Sequence, residues 1–95
     1  MVALDTIEGI INDVLWFHYA VSDDVLYLRL NDARDIEALG EETDDGLTLL
    51  RDSATDRPVG LTIVNWWKRV GHGDLPDSLT TIERHIEPWG DRIAA

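Results

Sequence analysis

The chain contains no cysteine, which excludes disulfides and thiolate metal sites outright. Positive charge is scarce as well. Eight Lys and Arg, only one of them lysine, oppose nineteen Asp and Glu, for a formal net charge of -11. Proteins that bind DNA or RNA directly need a positive surface to displace counterions from phosphates, so no nucleic-acid partner is expected. An anionic membrane surface is an equally poor partner. No apolar run approaches the roughly 20 residues needed to cross a bilayer. Met1 to Asn12 holds Asp5 and Glu8 and lacks the basic and apolar regions of a signal peptide. A cytoplasmic protein with no cofactor is the expectation.

The 95 residues, 44% of them hydrophobic, suit one domain with a single core. The plain meaning of the excess acid is a solvated surface. Two alternatives stand beside it: steering toward a basic protein partner, and adaptation to a salty cytoplasm, to which the arginine-over-lysine bias would also belong.

Asp5-Thr6-Ile7-Glu8 has the form of a capping box, and Leu4, Ile7, Ile10, Ile11 and Val14 follow at helical spacing. A short N-terminal helix is expected within residues 1–14. Leu15 to Tyr19 and Val25 to Leu30 read as two strands joined by the polar turn Ser22-Asp23-Asp24, with Leu26, Leu28 and Leu30 on one face. In the acidic stretch 31–46, Ile36 and Leu39 suit either a short turn of helix or a bent edge strand. Leu47 to Arg51 and Val59 to Trp66 read as the third and fourth strands, with Val59, Leu61 and Ile63 sharing a face. Leu75, Leu79, Ile82 and Ile86 recur at helical intervals, with Asp77 or Ser78 as cap and Pro88 and Gly90 as terminators. The expected fold is therefore α+β: an antiparallel four-stranded β-meander flanked by an N-terminal helix (1–14) and a C-terminal helix (74–90).

Tyr19, four residues, then Asp24-Val25-Leu26-Tyr27-Leu28-Arg29-Leu30 form one motif. Asp45-Gly46-Leu47, followed at a distance by Val59-Gly60-Leu61-Thr62-Ile63-Val64-Asn65, forms a second. Together they resemble a small bacterial β-meander family, domain-of-unknown-function family 2283, over residues 19–65. The resemblance implies the meander and no activity, since that family has no assigned function. The chain departs from it where Thr62 replaces the carboxylate usual in the last strand, and where Thr55-Asp56-Arg57-Pro58 replaces a glycine-containing turn.

Chemistry-bearing patterns are sparse. Neither Asp23-Asp24 nor Asp44-Asp45 has the spacing of a calcium loop, and turn aspartates bonded to their own backbone explain both. His18, His72 and His85 lack the paired spacing zinc favours. No glycine-rich phosphate loop, nucleophile elbow or catalytic triad occurs, which points away from catalysis. Four tryptophans stand out: Trp16, Trp66, Trp67 and Trp89. If the fourth strand continues, Trp66 and Trp67 face opposite sides, and one of them must be covered by something else. With Val25, Tyr27, Val64 and Trp66 on the sheet's second face, the apolar surface exceeds what one copy hides. Trp16, Tyr27, Trp66, Trp67, Lys68 and Arg69 are the candidate interaction residues, with a homodimer or a basic protein as partner. The alternative is a small-ligand or divalent-cation site built on His72, held between two glycines, with nearby loop carboxylates.

Overall fold

In the computed structural model, residues 6–71, 73, 75 and 78–94 are described. They form one antiparallel sheet of six strands and two helices. The strands are β1 (Thr6–Ile11), β2 (Leu15–Ala20), β3 (Val25–Leu30), β4 (Ala38–Glu42), β5 (Thr48–Asp52) and β6 (Pro58–Val64). Helix α1 spans Trp66–Val70 and α2 spans Leu79–Ala94. The spatial order is β1-β2-β3-β6-β5-β4, two three-stranded meanders joined where β3 pairs with β6.

Three expectations are corrected by this arrangement. The four-stranded meander is a six-stranded sheet, because the N-terminal segment contributes β1 and the acidic stretch 31–46 contributes β4. The N-terminal helix is instead β1, paired with β2 from Thr6↔Ala20 to Ile11↔Leu15. Its isoleucines at three- and four-residue spacing fit a helix face, but β-branched side chains favour the pleated surface. Asn12 and Asp13 then both take left-handed conformations (φ 52° and 60°), the backbone a tight hairpin turn demands. Asp5 of the expected capping box lies outside the described residues. The open choice at residues 36–39 resolves to the edge strand β4, reached through a 3₁₀ turn at Asn31–Ala33. Arg29 fixes this crossover by donating from Nη1 to the carbonyls of Ala33 (3.1 Å) and Ile36 (3.0 Å).

The third correction concerns the helices. The fourth strand stops at Val64, and Asn65 at φ 58° turns the chain into α1. Helix α2 runs through Pro88 and Gly90 to Ala94. Proline inside a helix costs roughly 3 kcal/mol, yet Ile82, Ile86 and Ile93 are all buried, with Trp89 packed against the same core. That apolar row continues across Pro88 and holds the last turns down. Ser78 supplies the cap, its Oγ accepting from the Thr81 N–H at 3.4 Å.

Side chains from alternate strand positions make the core on one side of the sheet. Leu15, Phe17 and Tyr19 of β2, Leu26 and Leu28 of β3, and Val59, Leu61 and Ile63 of β6 are buried beneath α1 and α2. Both helices lie on this side, and among the described residues no helix lies over the other side of the sheet. Among the described residues no helix is long and apolar enough to cross a membrane.

Candidate interaction surface

The uncovered face is set by strand register. Residues opposite one another in an antiparallel pair point to the same side. The pairs Ile10↔Trp16, Glu8↔His18, Trp16↔Arg29 and His18↔Tyr27 therefore place these side chains together, as do Val25↔Val64, Tyr27↔Thr62 and Leu50↔Gly60. Exposure on this face is high for apolar groups: Ile10 is 42% exposed, Tyr27 41% and Val64 46%. Singly such residues mean little. Here they border the half-buried Trp16, Val25 and Leu50 on one continuous face.

At its centre the rings of Trp16 and His18 stand 6.0 Å apart, and those of His18 and Tyr27 5.9 Å. The Arg34 guanidinium carbon lies 4.9 Å from the Trp16 ring centroid, a cation–π contact. His18 Nδ1 meets Glu8 Oε1 at 3.2 Å. Trp16, His18, Tyr27 and Arg34, with Arg29 and Leu50, line a shallow depression of about 420 Å³. Glu8 and Glu42 of this face belong to the two edge strands, so the middle of the face is apolar and cationic in a strongly acidic chain.

The candidate interaction residues divide. Trp16 and Tyr27 lie on the open face. Trp66 and Trp67 do not: because the strand ends before them, both enter the core, 0% and 8% exposed. Trp66 packs edge-on against Tyr19 at 4.9 Å, and Trp67 edge-on against His85 at 5.1 Å. Lys68 is exposed on α1. Arg69 is exposed but engaged, donating from Nε to the Val64 carbonyl (2.9 Å) and from Nη1 to the Asp45 carbonyl (3.1 Å), so it ties α1 to the β4–β5 turn. His72 lies outside the described residues. Among the described residues no group of three or more His, Cys, Asp or Glu comes together as a metal site. The face also carries His18 and Arg34, which sequence reading missed; for His18 the signal was the alternation that placed Trp16 there.

The two aspartate pairs prove structural, one of them at long range. The Asp24 carboxylate accepts from the Tyr19 hydroxyl (2.7 Å), the Trp67 N–H (2.8 Å) and the Lys68 N–H (3.2 Å). Asn65, the residue before α1, makes no side-chain cap, and Asp24 supplies it from 43 residues away. Asp45 accepts from Thr43 and, at 2.8 Å, from Arg92; these bonds, Thr43's first, hold its carboxyl below the usual range. The Ala54 N–H does the same for Asp52. Both carboxylates support the fold above the ordinary carboxylate range, and that support fades as pH falls through their lowered values.

Tyr19 titrates in the opposite sense. Burial first, then the Asp24 hydrogen bond and charge, push its hydroxyl well above the ordinary value. The folded chain thus holds this proton more tightly than the unfolded chain does. The associated stability is complete below the unfolded tyrosine pKa of about 10 and drains as pH rises above it, by up to about 1.4 kcal/mol per pH unit. Urea midpoints measured at about pH 9 and about pH 11 should fall for the parent, with the fall reduced in Tyr19→Phe. An equal fall in both would show that Tyr19 does not titrate with unfolding.

No family model, curated protein or solved structure matches the chain. The resemblance to family 2283 therefore rests on the quoted motifs alone.

Proposed function

We propose that the chain is a protein-interaction module without catalytic chemistry of its own, and that its open sheet face takes a second copy of itself. The observation that carries this is the uncovered face, where Ile10, Tyr27 and Val64 are each more than two-fifths exposed beside Trp16, Val25 and Leu50. Six strands spaced about 4.8 Å apart and five to seven residues long present roughly 500–600 Å² of sheet, toward the low end of what one partner contributes to a specific interface. Aromatic anchors flanked by arginine are the composition that interface centres favour.

Two copies of a chain with net charge -11 repel at long range, and salt screens that repulsion. Light scattering coupled to size exclusion should therefore give one chain's 10.7 kDa at low salt and low concentration, moving toward twice that mass as either rises. Tyr27→Glu or Val64→Glu should hold the mass at one chain while leaving the urea midpoint nearly unchanged, since both positions are exposed. A single-chain mass at every salt and concentration would end the proposal.

A further inference from the structure

A second apolar surface lies at the other end of the core, on the helix side of the sheet. Ile11, Leu15 and Leu30 come from alternate positions of β1, β2 and β3, and Val14 comes from the β1–β2 turn. With Glu87, Gly90 and Asp91 of α2 they enclose a groove of about 350 Å³. Val14 is 60% exposed, more than the apolar residues of the open face. Gly90 sits so close to β2 that a Cβ there would stand 2.6 Å from Leu15 Cδ2, which leaves bare helix backbone as one wall.

The charges around this groove are of one sign. Glu87 and Asp91 are four apart on α2, a spacing at which like charges repel. Asp91 also stands in the last turn of the helix, where the dipole disfavours anions. Among the described residues neither carboxylate enters an ion pair: the Arg92 beside them reaches Asp45. A neighbouring depression of about 190 Å³ shares Val14 and Leu30 and adds Asp13, Asp32 and Arg57. Its single cation, Arg57, lies 3.4 Å from Asp32. Sharing Val14 and Leu30, the two hollows form one apolar strip in which, among the described residues, Glu87 and Asp91 at one end and Asp13 at the other enter no ion pair.

We infer that this strip docks a basic amphipathic peptide segment of a partner protein, with an aliphatic side chain on Val14, Leu15 and Leu30 and flanking lysine or arginine beside Asp13, Glu87 and Asp91. The double hollow favours an extended segment over a compact amine. The site does not depend on self-association, because its floor faces away from the open sheet face.

The test is a titration of the ¹⁵N-labelled full chain at low salt with three probes: a pentapeptide of one leucine flanked by lysines, the same peptide with glycine for leucine, and n-butylammonium. The leucine peptide should shift the amides of Val14, Leu15, Leu30 and Gly90 saturably and bind about tenfold more tightly than the glycine peptide. The double variant Glu87→Gln, Asp91→Asn should weaken it about fivefold with the rest of the amide spectrum unmoved. Equal affinity for the two peptides would reduce the effect to general attraction by an acidic surface and overturn the inference. So would an unaffected double variant, or shifts centred on the open face. Binding of n-butylammonium as tight as the leucine peptide would make this a small-amine site instead.

Discussion

Asp24→Ala lowers the unfolding free energy by about 4 kcal/mol. The carboxylate accepts three hydrogen bonds, from the Tyr19 hydroxyl and from the Trp67 and Lys68 amides, and its own carbonyl accepts the Trp66 N–H at 3.0 Å. Hydrogen bonds to a charged acceptor contribute roughly 1.5–3 kcal/mol each, and a buried hydroxyl left without its acceptor costs about 1–3 kcal/mol. Losing an N-cap adds about 1 kcal/mol. Asp24 also holds φ 53°, which alanine tolerates less well than aspartate. These terms overlap because they share one group, so about 4 kcal/mol is the expected net rather than their sum. Asp24→Asn keeps the backbone preference and one acceptor and should lose about half as much. Urea unfolding followed by tryptophan fluorescence reads this directly, since Trp66 and Trp67 are buried beside the cap. In a Tyr19→Phe background the alanine change should cost about 1–2 kcal/mol less. A loss below about 1 kcal/mol in the parent would show that α1 needs no cap from β3.

What the sequence revealed and what it hid divide along the range of the interactions. Alternation placed Leu26, Leu28 and Leu30 on one face and Val25 and Tyr27 on the other, because a strand's side-chain period is a property of neighbours in the chain. Val59, Leu61 and Ile63 were legible for the same reason. The N-terminal segment was not, since Ile7, Ile10 and Ile11 satisfy both a helical and a pleated pattern. The residues that decide between them are Asn12 and Asp13, whose positive φ closes the β1–β2 hairpin. Trp66 and Trp67 were assigned to opposite sides because nothing local marks Asn65 as the left-handed break before α1. The capping role of Asp24 was out of reach, as the two amides it caps stand 43 and 44 residues away. For the open face, Tyr27 and Val64 were legible by period; the cation over Trp16 was not, because Arg34 comes from an irregular crossover.

The same limit governs Gly60, where Gly60→Ala should cost about 3 kcal/mol although the sequence offers no turn or left-handed conformation to explain the glycine. Gly60 lies in β6, paired with Arg29 on one side and Leu50 on the other. A Cβ added there would stand 2.5 Å from the Leu28 carbonyl oxygen and 3.0 Å from both Arg29 Cδ and Leu50 Cδ1. A side chain can swing aside, but a strand carbonyl cannot, so β3 and β6 must separate at the seam between the two meanders. Arg29 cannot yield freely either, since its guanidinium holds the Ala33 and Ile36 carbonyls and with them the crossover to β4. Thr62→Ala, two residues along the same strand and face, should cost less than about 1 kcal/mol and serves as the control. Because Arg29 and Leu50 also line the open-face depression, the Gly60 variant should weaken self-association more than its loss of stability alone would. A urea midpoint within error of the parent would mean that the seam accommodates a methyl group, and that the close approach of β3 to β6 does not require glycine.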